Sequence, residues 1–382
     1  MHLYLHIPFC KQACHYCDFH FSTNQRPKAD LVTAMAHEIG LRASYLPPQP
    51  LETIYFGGGT PSLLTESELA ELFGAIHRHF TVDPGAEVTL EANPDDLTAE
   101  KLVMLRRYVN RLSIGIQTFD EATLRWMNRA HSATEAVHCV HLARAAGFDE
   151  LSIDLIYGIP GHARPNGDAS LWTADLDRAL ALNVPHISAY ALTIEPNTAF
   201  STWTKTGKLP PVDEDLAAAH FEQLVEALTA SGYEQYEISS FARPAPGQIP
   251  HYARHNTAYW QQRPYLGVGP AAHSYDGQSR QFNVANNAQY ITALRGDVIP
   301  AERGELTSAD RVNEYLLTGL RTKWGCQLAE LNRLLDDDFL TRNQAELTHL
   351  QPTGWLASEN GVLRLTDSGK LFADRVASEL FV

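Results

Sequence analysis

Short apolar runs rich in β-branched and aromatic residues recur along the first half of the chain, at His2–Ile7, Thr53–Phe56, Val88–Glu91, Leu112–Ile116, Leu151–Ile156 and Ile187–Leu192. Between them the apolar positions take helical spacing. In Glu66–Phe80, residues Leu69, Leu72, Phe73, Ile76 and Phe80 fall at i, i+3, i+4, i+7 and i+11, one stripe along a helix. Thr65 with Glu68 predicts a capping box at its start. Ser132 with Glu135 predicts a second, and Gly147 predicts the C-cap of that helix. Strands alternating with helices predict an α/β fold, a parallel sheet with helical crossovers curved into a partial (β/α)6 barrel.

The pattern changes after about residue 240, so the expected division is a barrel over 1–240, a connecting region over 241–304 and a C-terminal domain over 305–382. The stretch Arg243–Pro250 is proline-rich. HYARHNTAYWQQRPYLGVGPAAHS follows, dense in His, aromatic and Gly residues and poor in helical periodicity. Helical patterns return from Leu306. After them come Gly354-Trp355-Leu356, the alternating Val362-Leu363-Arg364-Leu365 and a helix expected from Asp367, which together suggest a small winged-helix-like unit.

Composition narrows the function. No run approaches ~20 apolar residues, so no transmembrane helix is expected. The start MHLYLHIPFC has neither a basic leader nor an extended apolar region, so no secretory signal is expected and a cytoplasmic protein is. A formal charge of −15 disfavours nucleic acid and anionic membrane as general partners. Asp336-Asp337-Asp338 weakens a DNA-binding reading of the winged-helix-like unit in the same way. Cys139 and Cys326 are isolated and read as small buried hydrophobes, not as part of a disulfide framework.

The other three cysteines carry the chemistry. Cys10, Cys14 and Cys17 stand at CxxxCxxC spacing in HIPFCKQACHYCDF. Three thiolates can hold three corners of a four-iron cluster and leave one iron open to a ligand. A zinc site is the alternative, with His15 or His20 as the further ligand. No second knuckle accompanies the motif, which favours iron–sulfur. Gly57-Gly58-Gly59-Thr60-Pro61 follows the second strand, where glycines let a ligand approach the backbone. No GK[ST] follows, so it is not a P-loop. Glu91, Gln117 and Asp154 fall at or beyond the ends of later strands, the end where parallel α/β folds place their sites. The run Gly267-Val268-Gly269-Pro270-Ala271-Ala272 imitates a dinucleotide fingerprint. It follows no predicted strand and Pro270 interrupts it, so it reads as a tight loop.

These motifs resemble the radical S-adenosylmethionine (SAM) superfamily, which the resemblance implies holds a [4Fe–4S] cluster on the three cysteines and SAM on the open iron. Across nearly the whole chain, LEANP, LSIGIQTF, MNRAH, SIDLIYGIPG and GVGPAAHS look like the oxygen-independent coproporphyrinogen III dehydrogenase group. Carried over, the implied SAM residues are Tyr4, Tyr16, Gly58, Gly59, Thr60, Glu91, Gln117, Arg129 and Asp154. Two departures stand out: Phe19 occupies the place of that group's fourth cysteine, and the chain starts almost on the first strand. His255-Asn256-Thr257-Ala258-Tyr259-Trp260, an HNxxYW motif, is similar instead to the sister group, the HemW-type haem chaperones. That resemblance implies a haem carrier more than a dehydrogenase, with haem on His255, Asn256, Tyr259 and Trp260, and His251 and His273 as rival ligands. It also implies apo-haem clients, respiratory and membrane-bound ones among them, transient contact with the membrane through such a client, and a homodimer as one oligomeric state. An imidazole ligates iron, and Tyr and Trp pack on a porphyrin. A lone His in an aromatic loop is otherwise a hydrogen-bonded core residue.

Overall fold

The structure, a computed structural model, describes residues 1–160, 171–244 and 250–382. Gly161, the last residue of SIDLIYGIPG, and 245–249 of the proline-rich stretch lie outside it. Six parallel strands carry the first half: β1 (His2–Ile7), β2 (Leu51–Gly58), β3 (Val82–Ala92), β4 (Arg111–Gln117), β5 (Glu150–Tyr157) and β6 (His186–Ala191). Each contains or overlaps its predicted run. Helices Lys28–Leu41, Glu66–His79, Ala99–Leu105, Ala133–Ala145 and Leu171–Ala181 lie between consecutive strands.

Local chemistry explains the helix ends. Thr65 and Ser132 each accept from the backbone N–H three residues on, and Glu68 and Glu135 accept from the Thr65 and Ser132 backbone N–H groups. Gly147 ends the second of these helices at φ +87°, with the Phe148 N–H on the Ala143 carbonyl at 3.0 Å.

Alternation along the strands separates two environments. Leu3, Leu5, Ile7, Ile54, Phe56, Leu90, Leu112, Ile114, Ile153 and Leu155 are buried with the helices in one large core. The other face carries His2, Tyr4 and His6, then Thr53 and Tyr55, Glu87 and Glu91, Ser113, and Asp154. The inside of the curved sheet is therefore polar, and it holds the residues discussed below.

Three expectations change in the second half. GVGPAA does follow a strand: β9 (Tyr265–Val268) pairs parallel with β1, so Gly267 and Val268 are the end of a sheet strand. Its four-residue length left no period to read. HNxxYW is helical, Arg254–Trp260, although seven residues give too few turns for a visible stripe. The helix expected from Asp367 begins at Ala373, after a 3-10 turn at Lys370–Phe372. With β7 (Glu234–Glu237), β8 (Ser240–Ala242), β10 (His273–Tyr275), β11 (Ser279–Asn283) and β12 (Ala301–Glu305), twelve of the described strands form one open sheet. Its order is β12-β11-β10-β9-β1-β2-β3-β4-β5-β6-β8-β7, with β12 and β7 at the edges.

The C-terminal unit has its own apolar cluster, with Val312, Leu316, Leu331, Phe339, Leu363 and Val376. Helices Ser308–Gly319 and Leu328–Leu335 pack near a small sheet in which β13 (Cys326–Gln327) and β14 (Leu356–Glu359) flank β15 (Val362–Leu365). Asn360 and Gly361, at φ +51° and +76°, make the two-residue turn of the β14–β15 hairpin. Cys139 and Cys326 are buried, as expected of small hydrophobes.

Candidate functional site

The polar face of the sheet and the loop after β1 meet at one mouth. That loop holds Cys10, Cys14 and Cys17, all free and partly exposed, and is tied at both ends. The Cys10 N–H donates to the Ser22 carbonyl at 3.1 Å, and the Ser22 N–H to the Pro8 carbonyl at 2.9 Å. The His15 N–H reaches the Met127 carbonyl at 3.0 Å, and His15 Nδ1 meets the Trp126 carbonyl oxygen at 2.7 Å. Burial raises the Cys10 thiol, against a hydrogen bond from Thr60, and raises Cys17 to about 12. Both therefore favour the protonated form until a cation or metal draws off the proton.

The glycine run presses against this loop. The Gly59 N–H donates to the Ile7 carbonyl at 2.9 Å and the Thr60 N–H to the Phe9 carbonyl at 2.7 Å. A Cβ on Gly59 would lie 2.7–2.8 Å from backbone atoms of Ile7 and Phe9, and one on Gly58, at φ +103°, would lie 2.5 Å from the His6 ring. Only glycine fits either position. Thr60 Oγ1 donates to Cys10 Sγ at 3.4 Å, which joins the second strand's loop to the first cysteine.

Arg129 sits behind the second cysteine. Its Nη1 lies 3.5 Å from Cys14 Sγ and 3.4 Å from the Tyr16 hydroxyl, and its Nη2 donates to Asn93 Oδ1 and the Gly115 carbonyl at 2.7 Å each. Its Nε is buried with no partner among the described residues. A fixed cation with a spare donor fits an anionic ligand. Gln117 is held at φ +69°, at an irregularity in the β4–β5 register, and its amide lies beside Gly115 and Arg129.

Two carboxylates complete the face. Glu91 accepts from the Tyr55 hydroxyl at 2.8 Å and from the Gly58 N–H at 3.1 Å. Burial raises it to about 7, the Tyr55 bond opposes that, and the Asp154 charge adds to it. Asp154 accepts from Ser113 at 3.2 Å and is raised to about 6, again by burial. It lies inside β5, not at its end as the sequence suggested. Burial also raises the Tyr4 hydroxyl well above its ordinary value, and that hydroxyl meets His6 Nδ1 at 3.0 Å. The structure thus brings Tyr4, Tyr16, Gly58, Gly59, Thr60, Glu91, Gln117, Arg129 and Asp154 to the same sheet face and mouth as the cysteines.

A cavity of about 460 Å³ opens beside this mouth, lined by Cys14, Cys17, Phe19, Phe21, Pro196 and Thr198 among others. Phe19 is 67% exposed. An unsupported ring therefore stands beside the cysteine loop, where a further ligand would have needed a polar side chain. Among the described residues, no three His, Cys, Asp or Glu side chains are arranged to hold a single metal ion. Three free thiols on one loop, partly exposed at the mouth, are a donor set that a four-iron cluster with one open iron can take.

The HNxxYW residues lie at the opposite end of the polar face. His255 is fully buried, and both ring nitrogens are engaged: Nδ1 with Thr53 Oγ1 at 2.6 Å and Nε2 with the Tyr259 hydroxyl at 2.8 Å. Burial lowers it well below the ordinary imidazole value. Both nitrogens are thus hydrogen-bonded to hydroxyls of this chain. Asn256, Tyr259 and Trp260 are half-buried, and the Arg321 guanidinium lies 5.7 Å from the Trp260 ring centre. His251 Nδ1 is bonded to Glu150 Oε1 at 2.6 Å. His273 is exposed on β10, its ring centre 5.8 Å from that of Phe282.

Sequence reasoning passed over Asn93, Tyr55, Thr53 and Ser113, which hold Arg129, Glu91, His255 and Asp154. One signal was present. Thr53, Tyr55 and Gly57 alternate with Ile54 and Phe56, the period-2 mark of a strand with one polar side.

Comparison with known proteins adds to this geometry. A radical SAM superfamily model matches residues 4–164, and a HemN C-terminal domain model matches 306–372. Heme chaperone HemW of Bacillus subtilis (strain 168) is 34% identical over 383 residues, covering 98% of this chain and 97% of that protein. Heme chaperone HemW of Escherichia coli (strain K12) is 33% identical over 393 residues, covering 100% and 97%. Among solved structures, the E. coli coproporphyrinogen III oxidase HemN, described as a radical SAM enzyme, superposes with a TM-score of 0.84. It is 24% identical, covering 100% of this chain and 89% of that one, and it shows a shared fold.

Proposed function

This chain belongs to the HemW heme chaperone family within the radical SAM superfamily, and on that premise we propose that it is a haem carrier controlled by an iron–sulfur cluster and SAM. The observation that carries the reading is the near-full-length kinship with heme chaperones, joined to an exposed Phe19 where the dehydrogenase pattern has a cysteine.

Cys10, Cys14 and Cys17 would hold the [4Fe–4S] cluster. Arg129 would meet the SAM carboxylate, and Gly58, Gly59 and Thr60 its methionyl end. Glu91, Gln117 and Asp154 would meet its ribose, and Tyr4 and Tyr16 would pack on its adenosyl part. When bound, a reduced cluster can donate one electron to SAM's sulfonium. The chain's own part is to orient the ligands and limit water at the mouth. In the carrier reading SAM and the cluster govern loading or release of haem, not turnover.

For haem we assign the iron ligand to His273, with His255 kept in the core. His273 is exposed and packs beside Phe282, which with Val284, Ala288, Ile299 and Pro300 lines a mainly apolar cavity of about 680 Å³. A mainly apolar cavity that shares Phe282 with the neighbourhood of an accessible imidazole suits a metalloporphyrin. The proposed division is a barrel over 1–240, a haem-handling segment over 241–304 and the C-terminal unit over 305–382. The partners are apo-haem proteins, including respiratory subunits at the membrane, and a homodimer is part of the proposal. Among the described residues, no helix is long and apolar enough to cross a membrane.

Two arms test this. Reconstituted protein given SAM, reductant and coproporphyrinogen III without oxygen is expected to make no protoporphyrinogen; robust product would establish the dehydrogenase instead. In a haem titration, His273→Ala is expected to weaken binding about tenfold or more. Equal affinity would move the ligand elsewhere.

A further inference from the structure

The HNxxYW helix closes the polar face from below. Glu87 on β3 accepts from the Arg254 and His255 N–H groups at 2.9 and 3.0 Å, which fixes the start of the helix to the sheet. Thr53 on β2 lies between two imidazoles, 2.6 Å from His255 Nδ1 and 2.9 Å from His2 Nδ1. Its hydroxyl can donate to one ring and accept from the other, an arrangement that suits two neutral imidazoles, and burial lowers both His2 and His255 below the ordinary value.

Above this layer the rings stack. The His255 ring centre lies 5.0 Å from Tyr55 and 6.3 Å from Tyr4, near parallel to both, and Tyr4 and Tyr55 lie 6.1 Å apart. Tyr259 meets His255 edge-on at 4.7 Å and packs on Tyr265 at 4.4 Å. The Tyr55 hydroxyl then donates to Glu91 at 2.8 Å. A Cβ on Gly57 would lie 2.9–3.0 Å from Tyr55, Glu91 and Tyr4, so the layer is already in contact with the glycine loop above it.

We propose that His255 is a positioning residue for the proposed SAM site: with Tyr259 it forms a floor that seats Tyr55, and through Tyr55 it aims the Glu91 carboxylate. This rests on the SAM part of the proposed function. It gives the HNxxYW motif a role that needs no iron, and it explains why both imidazole nitrogens are committed to this chain's own hydroxyls.

The test is SAM affinity by equilibrium dialysis on anaerobically reconstituted protein, with iron content and thermal unfolding measured on each sample. His255→Ala is expected to keep its iron and to bind SAM about tenfold more weakly, as is Glu91→Gln. If His255 acts through Glu91, the double variant loses no more than Glu91→Gln alone, within about twofold. Additive losses, or unchanged SAM affinity in His255→Ala, would overturn the inference. Should His255→Ala fail to fold, Tyr259→Phe removes only a hydroxyl and is expected to cost about threefold, with rescue in His255→Gln relative to any larger truncation; unchanged affinity in Tyr259→Phe would count against the floor. Wild-type protein that holds its cluster and binds no SAM would instead bring down the cofactor reading, and this inference with it.

Discussion

The Arg129 guanidinium is shared between Cys14 and Asn93: Nη1 lies 3.5 Å from the cysteine sulfur while Nη2 donates to the asparagine oxygen at 2.7 Å. One planar fork therefore couples the cysteine loop to the turn after β3, and its Nε is left as a buried donor without a partner among the described residues. A lysine carries the charge and cannot span both contacts. Arg129→Lys is expected to retain iron and lose SAM affinity by about tenfold or more. Equilibrium binding beside iron analysis reads this, and undiminished affinity would show that the fork does not serve the ligand.

Gly58 offers a sharper steric case. Its φ of +103° and the His6 ring, 2.5 Å from where a Cβ would stand, act together. Gly58→Ala is expected to destabilise the fold by about 2–4 kcal/mol. In urea the midpoint should fall with the slope unchanged. A midpoint equal to that of wild type would mean that the loop relaxes at little cost.

Glu91 predicts a pH dependence of the apo-protein. Its carboxyl is raised to about 7 by burial, and Tyr4, Tyr55, Tyr259, Asp154 and Cys10 are the titratable groups whose charge couples to it. The native state then holds a proton that the unfolded chain has released, so stability falls as pH rises from about 4.5 to about 7. Asp154, raised to about 6, adds to this in the lower part of that window. Glu91→Gln removes the penalty and is expected to stabilise apo-protein at pH 8 by roughly 1–3 kcal/mol. Urea unfolding at pH 5 and pH 8 checks it. Equal pH slopes in wild type and variant would contradict it.

Much of the first half was legible because period and chemistry agreed there. The β-rich runs were short and separated by helical periodicity, and the Thr65 and Ser132 boxes announced helices that the structure shows starting at the next residue. The nearness of the candidate residues to one another was legible through their motifs, since the order of a parallel sheet brings successive strands to one mouth, although Asp154 sits inside β5. Tyr55 and Asn93 were harder to see, because each acts through another side chain and its role exists only once β2, β3 and β4 are side by side. His255 shows the other limit. An imidazole in an aromatic motif does not show its partners, and its bonds to Thr53 and Tyr259 exist only once the helix is packed on the sheet.

The capping box gives a local check on that legibility. Thr65→Ala is expected to cost about 1 kcal/mol, because the Glu68 N–H loses its acceptor. A calorimetric scan should show the shift without loss of bound iron, and no shift would mean that water replaces the hydroxyl at no cost.

The central claim is that Cys10, Cys14 and Cys17 grip an iron–sulfur cube. Iron and acid-labile sulfide, measured on protein purified without oxygen, test it most directly. The expectation is about four of each per chain, falling to near zero in the variant with all three cysteines changed to alanine. Zinc in place of iron, or iron that survives in that variant, would contradict the account.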